Sequence, residues 1–212
     1  MKRRTWVTAL AGLVMGAALA PASSVAATRT LLVLGDSLSA EYGLPRDSGW
    51  VKLLRDRLAE KKLDWNVVNA SISGETTAGG ASRLPKLLDE HKPRLVIVEL
   101  GANDGLRGSP LDMTRRNLDT IIGASQGAGA KVLLVGMQLP PNFGRGYTER
   151  FAAVFEQTAQ AHKAALVPFL LDGFAADASF FQADRIHPTV QAQPLILDNV
   201  WPKLEPLLRA GH

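Results

Sequence analysis

Residues 30–39 read Thr30-Leu31-Leu32-Val33-Leu34-Gly35-Asp36-Ser37-Leu38-Ser39, an apolar run that gives way to a turn. The run Thr30–Leu34 predicts a β-strand that is buried on both faces. Ser37 then follows at the carboxyl end of this strand, where a turn can expose its hydroxyl as a nucleophile. Asp and Ser are also common turn residues. The motif alone therefore indicates no more than a turn, and its interpretation depends on the rest of the chain.

Four further short runs are rich in Val, Leu and Ile: Trp65–Asn69, Arg94–Leu100, Lys131–Met137 and Leu166–Phe169. Between the runs, apolar residues recur at helical spacing within Gly49–Lys62, before His91, around Leu118 and within Thr148–Lys163. A last helix is predicted from Thr189 towards Leu208, with Pro194 and Pro202 limiting or kinking it. This alternation predicts an α/β fold, a three-layer α/β/α sandwich around a central five-stranded parallel sheet with right-handed crossovers.

The N-terminus has the pattern of a secretory signal peptide. A basic start, Met1–Arg4, precedes an apolar run from Trp6 to Ala20 and a small-residue end at 24–27. The run is shorter than the ~20 residues of a membrane-spanning helix. We therefore expect a signal peptide over residues 1–26, cleaved on export to the periplasm or medium, and one domain over 27–212 without a stable membrane anchor.

Charge and cysteine content exclude several classes of function. The net charge of +4 includes three basic residues of the signal, and removing them leaves 21 basic against 20 acidic side chains. Nucleic-acid binding thereby loses its support, because the basic residues of the mature domain are neither in excess nor clustered. The chain has no cysteine, which excludes disulfides and thiolate chemistry. No cluster of metal-ligating residues is readable from the spacing, so neither a metal nor a cofactor is expected.

One of the four histidines has a promising context. His187 lies in Asp184-Arg185-Ile186-His187-Pro188, after the fifth predicted strand. An Asp three residues before a His in a tight turn can face its Nδ1 and leave Nε2 for a serine, as in a serine triad. The same pair could also do no more than hold a loop. For His91, His162 and His212 we favour a solvated or capping role.

Two segments after the second and third predicted strands could stabilise an oxyanion. Gly74 lets a backbone N–H approach a substrate closely, and Asn103 in Gly101-Ala102-Asn103-Asp104 offers a side-chain amide. With the N–H of Ser37, three donors are available at one edge of the sheet. Each residue taken alone is also consistent with an ordinary loop. Asp36 and Asp104 are interpreted as hydrogen bonders that fix turns, and Glu99 as a paired structural carboxylate.

These blocks together resemble the SGNH (GDSL) hydrolase family, in the family's order and over nearly the whole mature domain. Shorter stretches, Val98–Gly101, Gly105–Gly108 and Val135–Gln138, are similar to its secreted multifunctional acyl-CoA thioesterase I, arylesterase and lysophospholipase branch. The resemblance implies a flavodoxin-like sandwich that hydrolyses acyl esters and thioesters. It also implies Ser37 as nucleophile, His187 as base, Asp184 as its orienting acid, and Ser37, Gly74 and Asn103 as the oxyanion hole.

The substrate is less well defined by the sequence than the reaction. Four apolar residues in 101–110 and 138–147 could border a groove for an alkyl chain, or could be scattered surface residues: Leu106, Leu139, Pro140 and Phe143. The expected partner is a small acyl ester or thioester, including a lysophospholipid, and the enzyme is expected to be a monomer. A carbohydrate acetyl esterase of the same fold and a non-catalytic envelope binding module are the alternatives.

Overall fold

The computed structural model describes residues 29–210, and the predicted signal peptide lies outside these residues. Five strands form one parallel sheet in the order β2-β1-β3-β4-β5. They are β1 (Arg29–Gly35), β2 (Trp65–Asn69), β3 (Leu95–Glu99), β4 (Lys131–Val135) and β5 (Ala165–Val167). The predicted five-stranded parallel sheet is thus confirmed, although β3, β4 and β5 are each shorter than their apolar runs.

Within residues 29–210 the structure has six α-helices. They are α1 (Trp50–Glu60), α2 (Thr77–His91), α3 (Ala102–Leu106), α4 (Leu111–Gly127), α5 (Arg145–His162) and α6 (Gln193–Arg209). α1 packs against α6, while α2 packs against α4 and α4 against α5, so two helical layers enclose the sheet. The predicted three-layer α/β/α sandwich is therefore confirmed. None of the helices within 29–210 is long and apolar enough to cross a membrane.

Two helices differ from the prediction. The short helix α3 was not predicted, since the sequence shows no helical spacing between the third apolar run and the pattern around Leu118. The last helix begins at Gln193, after a 3-10 turn at Val190–Ala192, and continues past Pro202 to Arg209. Its apolar side is buried along its whole length, and this packing outweighs the backbone hydrogen bonds removed by Pro202 and Pro206, which both lie inside the helix.

The strand order fixes where a site can form. In an open parallel sheet of order 2-1-3-4-5, the chain leaves β1 and β3 towards opposite faces, and a crevice opens between their carboxyl ends. Ser37 follows β1, and Asn103 follows β3. Gly35, the last residue of β1, is paired in register with Glu99, the last residue of β3. The candidate residues thus come from the two strands that border the crevice.

Candidate active site

The turn after β1 holds Ser37 by hydrogen bonds to its neighbours. The carboxylate of Asp36 accepts the N–H of Leu38 at 3.0 Å, and its backbone carbonyl accepts the N–H groups of Ser39 and Ala40. The side chain of Asn69 donates to the Ser39 carbonyl at 2.8 Å and ties the turn to β2. Asp36 and Ser39 are buried, whereas Ser37 is partly exposed. The backbone is therefore fixed while the Ser37 hydroxyl stays accessible.

His187 lies between Ser37 and Asp184. Its Nε2 is 2.9 Å from Ser37 Oγ, and its Nδ1 is 2.7 Å from Asp184 Oδ2. The other carboxylate oxygen, Asp184 Oδ1, accepts the N–H groups of Ile186 and His187, which closes the tight turn. Because an ionised Asp184 accepts a hydrogen bond from Nδ1–H, the unprotonated Nε2 is left to accept a hydrogen bond from the Ser37 hydroxyl.

The charge of Asp184 follows from these contacts. Burial opposes ionisation, but the backbone N–H and ring of His187, together with the N–H of Ile186, lower the pKa of Asp184 to about 2. Asp184 is therefore an anion throughout the neutral range. An anion at this position fixes the imidazole tautomer and stabilises the imidazolium that forms when Ser37 gives up its proton.

The segment that carries His187 is tied to the turn that carries Ser37. The N–H of Gln182 donates to the His187 carbonyl at 2.8 Å, and its side-chain amide donates to the Tyr42 carbonyl at 2.9 Å. The ring of Tyr42 lies against the His187 imidazole, with 4.3 Å between ring centroids. These contacts hold His187 over Ser37 although 150 residues separate them in the chain.

Three predicted oxyanion donors lie along the same edge. Among residues 29–210, neither the N–H of Ser37 nor that of Gly74 has a hydrogen-bond acceptor. Gly74 has φ of +79°, a left-handed conformation that favours glycine. Asn103, in the first turn of α3, donates its amide to Asp36 Oδ2 at 3.1 Å and to the Glu75 carbonyl at 3.0 Å. Its amide thus bridges the residue before Ser37 and the residue after Gly74.

The structure also answers the predictions for Asp36 and Asp104. Asp36 fixes the nucleophile turn, as predicted. Asp104 is buried and accepts both the N–H and the hydroxyl of Thr77, at 2.9 and 2.6 Å, which ties α3 to the start of α2. Among the described residues, no group of three or more His, Asp or Glu side chains is arranged to hold a metal ion.

Glu99 is a buried carboxyl group whose partners are Ser39 and Asp36 rather than a basic residue. It is 0 % exposed, and no basic side chain within 29–210 pairs with it. Its Oε2 accepts the hydroxyl of Ser39 at 2.7 Å and the N–H of Asp36 at 3.3 Å. Burial, with the nearby charge of Asp36, raises the pKa of Glu99 well above its usual value. The sequence signal was a single Glu at the end of an otherwise apolar strand.

The four residues nominated for an alkyl groove do not share one environment. Leu139 is 8 % exposed and packs where Gly105 leaves room, so it belongs to the core rather than to an open groove. Leu106 and Phe143 are half-buried against the core, and Pro140 is exposed. A surface depression of about 680 Å³ beyond β4 and β5 is lined by Gln138, Phe169 and residues 172–178, and it includes none of the four.

The sequence interpretation missed three exposed apolar side chains in the segments that carry the candidate site residues. Ile186 lies between Asp184 and His187, and Tyr42 covers the His187 ring. Ile72 precedes Gly74 by two residues, and its N–H donates to the Gly35 carbonyl at 3.1 Å. We call Tyr42, Ile72 and Ile186 the apolar rim. The sequence did contain a signal for this rim, because these large apolar side chains lie in the same loops as the polar site residues.

The arrangement is that of a serine hydrolase. A histidine contacts the serine hydroxyl, a carboxylate contacts the far side of the histidine, and N–H groups without an acceptor among residues 29–210 lie beside them at the edge of a parallel sheet. The GDSL-like lipase/acylhydrolase family model matches residues 33–193. The chain belongs to this family, which confirms the resemblance seen in the sequence.

Named relatives agree with this assignment. The chain is 54 % identical over 183 residues to the esterase TesA of Pseudomonas aeruginosa, covering 86 % of this chain and 91 % of the relative. It is 44 % identical to thioesterase 1/protease 1/lysophospholipase L1 of Escherichia coli, covering 86 % of each. The structure also superposes, with a TM-score of 0.81, on the crystal structure of the psychrotrophic esterase EstA from Pseudoalteromonas sp., which is inhibited by monoethylphosphonate. The two chains are 42 % identical, and the match covers 85 % of this chain and 98 % of EstA. The protein is a serine ester hydrolase.

Proposed function

We propose that the enzyme hydrolyses small acyl esters and thioesters through an acyl-enzyme on Ser37. The hydrogen-bonded series Ser37 Oγ, His187 and Asp184 Oδ2, with distances of 2.9 and 2.7 Å, is the observation that carries the proposal. His187 Nε2 takes the hydroxyl proton as Oγ attacks the acyl carbonyl, and then gives it to the leaving alcohol or thiol. Water then attacks the acyl carbonyl and gives a proton to His187 Nε2. As the bond between the acyl carbon and Oγ breaks, His187 returns this proton to Ser37 Oγ and the carboxylic acid is released.

The oxyanion of each tetrahedral intermediate is assigned to three donors. The N–H groups of Ser37 and Gly74 are free to bind it, since neither has an acceptor within 29–210. The Asn103 amide is held beside them by Asp36 and the Glu75 carbonyl, and one of its N–H groups can be shared with a substrate oxygen. Removing one such donor typically lowers turnover by about 10²–10³.

The acyl chain is assigned to the apolar rim. Exposed apolar side chains are common one at a time but informative when they adjoin a reactive group. Tyr42 and Ile186 adjoin His187, and Ile72 lies two residues before Gly74, so exposed apolar side chains occur in the segments that carry both His187 and the Gly74 donor. Turnover across p-nitrophenyl esters of graded chain length tests this assignment. A preference that collapses beyond acetyl would instead favour a carbohydrate deacetylase.

Covalent labelling tests the nucleophile. A fluorophosphonate should modify the wild type on the peptide that contains Ser37, and mass spectrometry should find no modification in Ser37→Ala. Ser48→Ala is the matched control, because the Ser48 hydroxyl lies in the following loop and contacts only the Pro45 carbonyl. Ester hydrolysis by Ser37→Ala or His187→Ala within twofold of the wild type would contradict the mechanism.

The proposal includes export. The pattern of residues 1–26 supports removal of a signal peptide, which would leave the mature domain, 27–212, in the periplasm or the medium. We also propose that the mature domain is a monomer. Fractionation of producing cells, followed by N-terminal sequencing and size-exclusion chromatography of the exported protein, tests both points. A chain that keeps Met1 and stays in the cytoplasm would contradict export.

A further inference from the structure

Two carboxyl groups meet in the buried space behind Ser37. Asp36 and Glu99 are both almost fully buried, and their side chains lie within hydrogen-bonding reach of each other. Two adjacent carboxylates in a low-dielectric environment do not both ionise, because their repulsion adds to the desolvation of each. The pair therefore holds one proton between them at neutral pH.

The hydrogen-bond donors around the pair decide which carboxyl holds that proton. Asp36 accepts the Leu38 N–H at 3.0 Å and the Asn103 amide at 3.1 Å. Glu99 accepts the Ser39 hydroxyl at 2.7 Å and, at 3.3 Å, the Asp36 N–H, while no N–H or hydroxyl donor within 29–210 reaches its Oε1. Hydrogen bonds to the charged form stabilise that form. Asp36 is therefore the better anion and Glu99 the better acid.

The other groups that face the pair strengthen this difference. His187 is the titratable group that reaches Asp36 from the loop before α6, and a positive charge on its ring favours ionised Asp36. From α1, Trp50 contributes a neutral N–H, which donates to the Ser39 hydroxyl at 3.2 Å. Asp104 in α3 is engaged with Thr77 instead. Burial raises the pKa of Asp36 to about 6, against the lowering effects of the Leu38 N–H, His187 and Asn103.

The charge of Asp36 controls the orientation of Asn103. Both neighbours of the Asn103 amide nitrogen, Asp36 Oδ2 and the Glu75 carbonyl, are acceptors, so the NH₂ group must face them. A protonated Asp36 could present a donor at the same place and would then compete with the amide. An ionised Asp36 leaves a single orientation.

We propose that Glu99 is a positioning residue that keeps its proton at neutral pH, so that Asp36 remains the anion that orients the Asn103 amide at the oxyanion site. The inference rests on the proposed function in one respect, the role of Asn103. Glu99 acts through Asp36 and Asn103 and does not touch the substrate. It takes no part in the proton transfers between Ser37 and His187.

The substitution Glu99→Gln is the central test, because Gln mimics the protonated acid. Its carbonyl can accept from Ser39 and from the Asp36 N–H, and its NH₂ can face Asp36. Glu99→Gln should keep kcat within about threefold of the wild type. Glu99→Met has a similar length but no acceptor, and it should lower kcat by about tenfold to a hundredfold, less than full loss of an oxyanion donor, with little change in KM. Equal losses in both variants would overturn the proposal.

Infrared spectroscopy gives a readout that does not depend on activity or on the Met variant folding. At neutral pH the wild type should show the C=O stretch of a protonated carboxyl group, and Glu99→Gln should lack it. The control Glu149→Gln, at an exposed α5 residue paired with Arg145, should keep both the band and the wild-type kcat. Absence of the band from the wild type, or its persistence in Glu99→Gln, would refute the proposal. Fluorophosphonate labelling of Ser37 tests the proposed function separately: a wild type that is not labelled would contradict the proposed function, whatever the infrared result.

Discussion

Replacing Asp184 by Asn separates the chemistry of this carboxylate from its role in the loop. Asp184 Oδ1 accepts the N–H groups of Ile186 and His187, and an Asn carbonyl can still do so. Its other oxygen, Oδ2, lies 2.7 Å from His187 Nδ1, where Asn would place an NH₂ donor. Nδ1 must then be unprotonated, so the proton lies on Nε2, which faces Ser37 at 2.9 Å. We expect a folded enzyme whose base has the wrong tautomer.

The size of the effect follows from the exposure of Asp184. An Asp→Asn change at the buried carboxylate of a serine protease lowers kcat by about 10⁴. The Asp184 side chain is 38 % exposed, so water can solvate part of the imidazolium charge and part of the altered ring. We therefore expect a smaller loss in kcat for Asp184→Asn, about 10²–10³, with KM nearly unchanged because the ester does not touch this side chain.

The assay combines turnover of a short-chain p-nitrophenyl ester with nitrogen NMR of the His187 ring. The proton should be on Nδ1 in the wild type and on Nε2 in Asp184→Asn. Asp177→Asn is the matched control, because Asp177 makes similar contacts, to the N–H and hydroxyl of Ser179, away from the triad. The reasoning is refuted if Asp184→Asn stays within tenfold of the wild type, or if its turnover falls while the ring keeps the wild-type tautomer.

Two further substitutions test the oxyanion loop and the buried acid. Gly74→Ala has space for the new Cβ, whose nearest neighbour is Arg107 Nη2 at 3.9 Å, but an alanine at φ of +79° costs about 1–2 kcal/mol. We therefore expect turnover to fall at least about tenfold, with a modest drop in the free energy of unfolding measured in urea. Unchanged turnover would argue against the Gly74 N–H as an oxyanion donor. The pKa of Asp36 is raised from 3.8 to about 6, so the folded state binds this proton more tightly than the unfolded state. The stability gained from this proton is at most about 3 kcal/mol. It is present below pH 3.8 and is lost as the pH rises through about 6. Urea unfolding across this range should show the decline in the wild type and a flatter curve in Asp36→Asn, and parallel curves would contradict the shift.

The strands and the contact between Asp184 and His187 were predictable because each depends on local sequence. Nearly continuous apolar runs mark strands covered on both faces, and the run at Trp65–Asn69 has the bounds of β2. Asp184 and His187 lie three residues apart, so their contact required only a tight turn. The helix α3 was missed because five residues give almost no periodicity, and Gly101, at φ of +116°, resembles a loop residue.

The carboxyl pair could not be predicted because it depends on register. Glu99 meets Asp36 because Gly35 pairs with Glu99 across β1 and β3, and 63 residues separate the two acids. Gly35 also leaves the space that the pair needs, since a Cβ there would lie 2.9 Å from Glu99 Oε2. Sequence alone shows a polar residue at the end of a buried strand, without its partner.

The direction of side chains in loops is a second feature that the sequence could not predict. Leu139 and Ile186 are both apolar residues in loops at the carboxyl edge of the sheet, yet Leu139 is 8 % exposed and Ile186 is 47 % exposed. Leu139 fills the space beside Gly105, whereas Ile186 lies in the turn closed by Asp184 and is directed outward. Composition identifies both residues as apolar, but only the packed structure decides which one a substrate can reach.

The apolar strands of this sheet stabilise the fold, whereas the buried polar residues at their carboxyl ends position the candidate site. β3 is apolar up to its last residue, and Glu99 begins a buried polar layer that includes Asp36, Ser39 and Asp104. Burying such groups costs free energy unless each finds a partner, and partners that fit only one arrangement also fix the geometry. The apolar strands offset that cost. Substitutions that make this layer apolar should therefore raise the free energy of unfolding in some cases while they lower kcat, because the polar contacts orient Ser37 and Asn103 rather than hold the sheet together.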